Sequence, residues 1–115
     1  MSKSKFKRYN DGVVRIYREK SDHSSFDERL NVAALEDMEF IIRLDYEESS
    51  KREQDIQFAE QNGFSLSLKV CTRRSELVDN GCKAVINNYL YDVKYTDKIG
   101  TDMWLYLEGV RSLVS

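Results

Sequence analysis

The sequence predicts a mainly β domain of about six short strands, folded as a small barrel or sandwich, with one helix inserted between its central strands. Three observations carry that prediction. Apolar and polar residues alternate in runs of strand length, most clearly over residues 38–46 and 64–71. Turn-forming residues punctuate the second half of the chain at Asn80-Gly81, Asn87-Asn88 and Gly100. Proline is absent throughout, so no strand edge can be blunted by it, and closure or edge pairing is expected. The 115 residues suit one domain around one core and are too few for two of ordinary size.

Residues 1–10 carry Lys3, Lys5, Lys7 and Arg8 without an acid and read as a flexible, solvated basic end preceding a single domain over residues 11–115. In "GVVRIYRE", Val13, Val14, Ile16 and Tyr17 supply β-branched and aromatic strand formers. "KSDHSSFDER" reads as a polar loop. In the next strand Met38, Phe40, Ile42, Leu44 and Tyr46 fall on one face, with Glu39, Arg43 and Asp45 on the other.

A loop-helix insert follows at about residues 45–63. Ser50 and Glu53 fit a capping box and Gly63 fits a helix stop, which predicts a helix over residues 51–61. Ile56 and Ala59 share one side of it while Phe58 projects elsewhere. Residues 47–55 contain no large apolar group, so the lead-in to the helix has little reason to pack and reads as a solvated face.

The alternation resumes in "FSLSLKVCTR": Phe64, Leu66, Leu68 and Val70 face one way, and Ser65, Ser67, Lys69 and Cys71 form an exposed small-polar face. "KAVINNYLYDVKYTD" predicts a hairpin pivoting on Asn87-Asn88, with Tyr89, Tyr91, Val93 and Tyr95 on one face of its second strand. After the turn at Gly100, Met103, Leu105 and Leu107 oppose Trp104, Tyr106 and Glu108. Both faces of that last strand are bulky, so one of them is expected to meet another surface.

Composition excludes several function classes. The formal charge is −2 with a pI near 5.5, which supplies no bulk positive field for wrapping duplex nucleic acid. No run approaches eighteen apolar residues and "MSKSKFKRYN" has no apolar signal core, so neither a membrane span nor secretion is expected. The expected site of action is the cytosol or a particle assembled there. Cys71 and Cys82 lack CxxC spacing and His23 is the only histidine, so no metal site is expected and both thiols read as reduced.

Catalytic constellations are weak. Glu47 and Glu48 are neighbours in sequence without being aimed at a common substrate, and Ser65 and Ser67 have no histidine beside them. No phosphate-cradling glycine motif occurs, so neither an enzymatic role nor a cofactor is expected. Binding or assembly remains. One form of it would be an OB-like single-stranded nucleic-acid module stacking bases on Tyr89, Tyr91, Tyr95, Trp104 and Tyr106.

Taken in order, "DGVVRIYRE", "EFIIRLDYEESSKREQDI", "FSLSLKVCTRR", "CKAVINNYLYDVKYTD" and "MWLYLEGVR" give a pattern that resembles the head-closure, or stopper, proteins of long-tailed bacteriophages, also called head-tail joining proteins. Many members carry tryptophan in the strand before the insert, where this chain reads "LNVAALEDMEFII". The resemblance implies a small, partly open β-barrel with one helix. It implies a homo-oligomeric ring in the virion neck, assembled in the bacterial cytoplasm, between portal and adaptor proteins on the head side and the tail terminator or tail tube on the other. Double-stranded DNA would pass through the ring. The segment between the second and third main strands would face that channel and help retain the DNA. Here this segment comprises Glu47, Glu48, Ser49, Ser50, Lys51, Arg52, Glu53 and Asp55. Trp104 and Tyr106, with Tyr91 and Tyr95, become candidates for subunit or partner contact, since a cyclic assembly uses heterologous interfaces. Another connector component or a tail terminator is the neighbouring alternative.

Overall fold

In a computed structural model of the chain, residues 9–19 and 38–113 are described. The basic end expected over residues 1–8 and the polar loop expected around His23 lie outside them. The β-formers of the first run make β1 (Gly12–Glu19), and the alternating run that follows makes β2 (Met38–Ser49). The two pair antiparallel from Gly12 opposite Tyr46 to Glu19 opposite Met38, with an irregularity between Ile16 and Tyr17. Helix α1 (Glu53–Gln61) follows β2 and leads to β3 (Leu68–Arg73). The hairpin of β4 (Lys83–Ile86) and β5 (Tyr89–Ile99) turns on Asn87 and Asn88, both at positive φ (51° and 63°), as the Asn-Asn dipeptide predicts. Then β6 (Asp102–Ser112) ends the described chain.

The six strands form an antiparallel sheet in the order β1-β2-β3-β6-β5-β4, and it closes on itself through β4 and β1. The expected mainly β fold of six strands with one inserted helix is present, and the ring of pairings is complete. Its narrowest seam is the closing one, where only Arg15, Ile16 and Tyr17 face Val85, Ala84 and Lys83. Inside sit Val14, Ile16, Val70, Val93, Met103, Leu105 and Leu107, each at most 1% exposed. Burial of a side chain of this size contributes about 1.5–3 kcal/mol, and this interior is the main source of stability. Met103, Leu105 and Leu107 therefore form the core face of the last strand, a choice between its two bulky faces that the alternation alone left open.

Two β-formers behave differently from the simple period. The predicted strand over residues 64–73 begins only at Leu68, because Phe64 turns away to pack with Ala59 and Tyr106 under the helix. In β5 the register shifts between Val93 and Tyr95, so Lys94 is an extra, exposed residue. Tyr91 and Val93 thus pack on the barrel interior while Tyr95 joins the outer cluster with Tyr106 and Phe58. The predicted single face of Tyr89, Tyr91, Val93 and Tyr95 does not form.

Candidate functional site

The insert is built where β2 leaves the sheet. Glu47, Glu48 and Ser49 still belong to β2 and pair with Cys71, Val70 and Lys69, so half of the predicted loop is strand. Ser50, Lys51 and Arg52 form the exposed link, and Glu53 and Asp55 lie in the first turn of α1. The helix begins at Glu53 with Arg52 as its N-cap, in place of the expected start near Lys51 capped by Ser50. The reason is local: Asp55 accepts a hydrogen bond from the Arg52 backbone N–H (3.0 Å), the return arm of a capping box, three residues into the turn. Ser50 is still leaving the strand and lies too far back to cap.

Asp55 is the centre of the site. Although it sits in a stretch without apolar side chains, it is buried (6% exposed), and so is Lys69 of β3 (4%). Lys69 Nζ donates to Asp55 Oδ2 at 2.9 Å, and the Tyr106 hydroxyl donates to Oδ1 at 3.2 Å. The Lys69 ammonium also lies 5.2 Å from the Tyr106 ring centroid. Among the described residues no buried side-chain nitrogen or oxygen lacks a hydrogen-bond partner. Burial alone would push the Asp55 carboxyl up, but the Lys69 ammonium, the Arg52 amide and the Tyr106 hydroxyl together hold it below its ordinary value. The Tyr106 phenol is pushed up to about 12, by burial first and then by the neighbouring Asp55 charge.

Apolar contacts complete the latch. Phe58 stands 4.8 Å from Tyr95 and 5.8 Å from Tyr106, ring centroid to centroid, and Ala59 is 1% exposed. Lys51 Nζ donates to the Ser67 carbonyl at 3.1 Å, tying the link to the segment before β3. The expected exposed face of Ser65, Ser67, Lys69 and Cys71 is therefore corrected at its second half: Lys69 lies under the helix and Cys71 is 1% exposed. No periodicity could have revealed this, since the signal is one buried lysine matched to one aspartate fourteen residues earlier.

The candidate contact residues separate in the same way. Tyr106 is 7% exposed and covered by α1, so it presents no surface to a neighbouring molecule. Tyr95 is half-buried against Phe58, Tyr91 lines the interior, and Trp104 is half-buried at the edge of the helix cluster. The aromatic set is split between the two sides of the sheet and does not make one stacking platform. A cleft of about 340 Å³ opens beside the latch, with Arg52, Asp97, Ile99 and Trp104 in its walls. Exposed acids cluster at the insert: Glu48 and Glu53 reach solvent, while Glu47 is half-buried.

Among the described residues no group of three histidine, cysteine, aspartate or glutamate side chains is placed to hold a metal ion, and no helix is long and apolar enough to cross a membrane. No protein-family model matches the chain, and the search of curated proteins returned no match.

Proposed function

We propose that the protein is a non-catalytic structural subunit of a phage head-to-tail connector, forming a ring that closes the DNA-filled head and joins it to the tail. One observation supports this most directly. A closed antiparallel barrel carries between β2 and β3 a helical insert that begins among solvent-exposed acids and is latched to the sheet through Asp55, Lys69 and Tyr106, with Phe58 and Ala59 packed beside them. The barrel is the rigid part, and the insert is the part with an identifiable release point, the exposed link Ser50 to Arg52. In this reading carboxylates at the insert face DNA and repel its phosphates, so the strand passes without being gripped.

In this proposal the gate is hinged, rather than loose over the whole of residues 47–55. Glu47, Glu48 and Ser49 stay in the sheet, and the moving piece begins at Ser50. A tail terminator or another connector component fits the same geometry. The division of the aromatic residues between the two sides of the sheet argues against a base-stacking role for them.

The test uses heads filled with DNA and carrying a portal. Electron microscopy of such heads with the protein added is expected to reveal a ring at the portal vertex, and absence of any added density there overturns the proposal. In assembled particles, the triple substitution Glu47→Gln, Glu48→Gln and Glu53→Gln, which leaves Asp55 in place, is expected to slow DNA release and lower infectivity roughly tenfold, because the channel loses its like-charge repulsion of phosphate. Normal DNA release and infectivity with this variant would remove the insert from the mechanism while leaving ring formation to stand on the microscopy.

A further inference from the structure

Two features of the surface stand where their own subunit disfavours them. On β1, Val14 and Ile16 point into the barrel and Arg15 points out; on β2, Ile42 and Leu44 lean on the core and Arg43 points out as well. The register sets Arg15 directly opposite Arg43, a cross-strand pair of like charges that costs stability. Both are exposed, and among the described residues no carboxylate pairs with either guanidinium, that of Asp45 on the same face included. The next outward pair is Tyr17 and Phe40, whose rings meet edge to face at 5.6 Å and leave Phe40 51% exposed. Arg73 of β3 is by contrast engaged: it lies 5.8 Å from the ring centroid of Tyr9, whose hydroxyl donates to the Asp102 carboxylate. Tyr9 is thus folded on the barrel, unlike the free end expected over residues 1–10.

The second feature is on α1. Asp55 and Ala59 face the sheet and Phe58 is half-buried, so Ile56, Gln57 and Glu60 lie on the outward side, neighbours at three- and four-residue spacing. Glu60 stands in the last turn, where the aligned peptide dipoles are already negative and no basic residue offsets them. Among the described residues no cation pairs with it, and Ile56 beside it is 41% exposed. One surface therefore holds two unmatched guanidiniums beside an exposed aromatic ring. The other holds an unmatched carboxylate at a negative helix end beside an exposed aliphatic side chain.

We propose that these surfaces are the two halves of one contact between copies of this chain, the C-terminal half of α1 on one copy lying against the β1–β2 face of the next. Glu60 takes the fork of one arginine, the second guanidinium meets the negative end of the helix, and Ile56 packs on Phe40. Each misplaced charge gains across the contact what it lacks within its own subunit. Topology decides the form of the assembly. Helix α1 rests on Lys69 of β3, Tyr106 of β6 and Tyr95 of β5, so it is centred on β6. In the order β1-β2-β3-β6-β5-β4 the strands β6 and β1 are three places apart in a ring of six, on opposite sides of the barrel. A two-fold dimer cannot join both halves at once, and association runs head to tail until it closes. Glu48 and Glu53 lie toward the other end of the helix, outside the contact, and stay available to the channel proposed above. The inference rests on that reading only in taking copies of the chain to associate, and the role at the portal plays no part in it.

The test is the mass of the intact chain in solution, by sedimentation velocity at low salt. The unaltered chain is expected to grow past the dimer as its concentration rises, and E60R and R15E/R43E are each expected to weaken that growth about tenfold, since reversal turns attraction at the contact into repulsion. The variant R15E/R43E/E60R, with the signs of both halves exchanged, is expected to recover the behaviour of the unaltered chain, and so is an equimolar mixture of E60R with R15E/R43E. Recovery in either form shows that the separate variants failed through charge and not through misfolding. The proposal is overturned by an unaltered chain that stays monomeric at about 1 mM, by growth that stops at a dimer, by separate variants that associate like the unaltered chain, or by exchanged signs that restore nothing. It is also overturned if a short single-stranded oligonucleotide binds the unaltered chain and not R15E/R43E while association is the same in both, which would give the arginines to nucleic acid. Density at the portal vertex undiminished by R15E/R43E would remove this contact and leave the connector reading standing. Head-to-tail association in solution with no density at the portal would do the reverse.

Discussion

Asp55 decides where the helix sits. A lone aspartate on a short amphipathic helix would ordinarily face water, yet here its two oxygens take hydrogen bonds from Lys69, Tyr106 and the Arg52 amide. A buried ion pair is weak evidence of net stabilisation, because desolvation offsets much of the attraction. Breaking it is a different matter. Asp55→Asn leaves the Lys69 ammonium buried without its charge partner and is expected to destabilise the protein by about 3 kcal/mol in denaturant unfolding. The pH dependence has a defined sign. The Asp55 carboxyl is held below its ordinary value of 3.8, so its contribution is fully present above that value and is lost as pH falls below it. The stability difference between the native chain and D55N is therefore expected to be flat from about pH 5 to 8 and to shrink below about pH 4. A difference that instead declines between pH 7 and 5 would contradict the assignment.

The partners of Asp55 were not legible in the sequence. Lys69 stands in an alternating run beside Ser65 and Ser67, where every local cue places it on a wet face. Only the arrival of α1 from the preceding segment makes that face interior, and no spacing rule within β3 encodes it.

At the scale of elements, α1 was legible in existence and in its stop, and less so in its start. Gly63 has φ +78°, a conformation that costs a side chain, and it ends the helix as expected. A Cβ there would meet nothing within 4 Å, so Gly63→Ala isolates the backbone term and is expected to cost about 1 kcal/mol by thermal or denaturant unfolding. No measurable change would mean that the turn relaxes to negative φ without loss. The start was misplaced because Ser50 looks like a cap only when β2 is taken to stop before it. Pairing with β3 extends β2 to Ser49, and ladder hydrogen bonds outweigh the poor strand propensity of Glu47, Glu48 and Ser49. The bulge at Lys94 is a second hidden element. Strict alternation sends Tyr91, Val93 and Tyr95 to one side, but the extra residue sends Tyr95 to the helix and leaves its neighbours with the core.

For the whole molecule, closure was legible and the location of the weak seam was not. Alternating strands and the absence of proline point to a sheet without free ends, whereas the register of β1 against β4 depends on residues almost seventy positions apart. The seam joins only Arg15, Ile16 and Tyr17 to Val85, Ala84 and Lys83, while β5 and β6 pair along most of their length. Native-state hydrogen exchange is expected to rank the two accordingly, with ladder amides at the β1–β4 seam exchanging at least tenfold faster than those between β5 and β6, a difference of about 1.4 kcal/mol in opening. Equal protection at both places would show that the barrel opens only as a unit.

The run of β2 through two sets of partners gives the molecule a mechanical axis. Its first part is tied to β1, its last residues from Tyr46 to Ser49 to β3, and its end to the helix through Ser50, Lys51 and Arg52. A pull on the far end of the β1–β2 ribbon, directed along the strand, loads the β2–β3 bonds together, side by side, so they share the force. Only tension that makes this strand slip is passed on to Arg52 and the carboxylate of Asp55. With this connectivity, a tug at one end of the sheet loads the β2–β3 ladder in shear before it reaches the helix at the other.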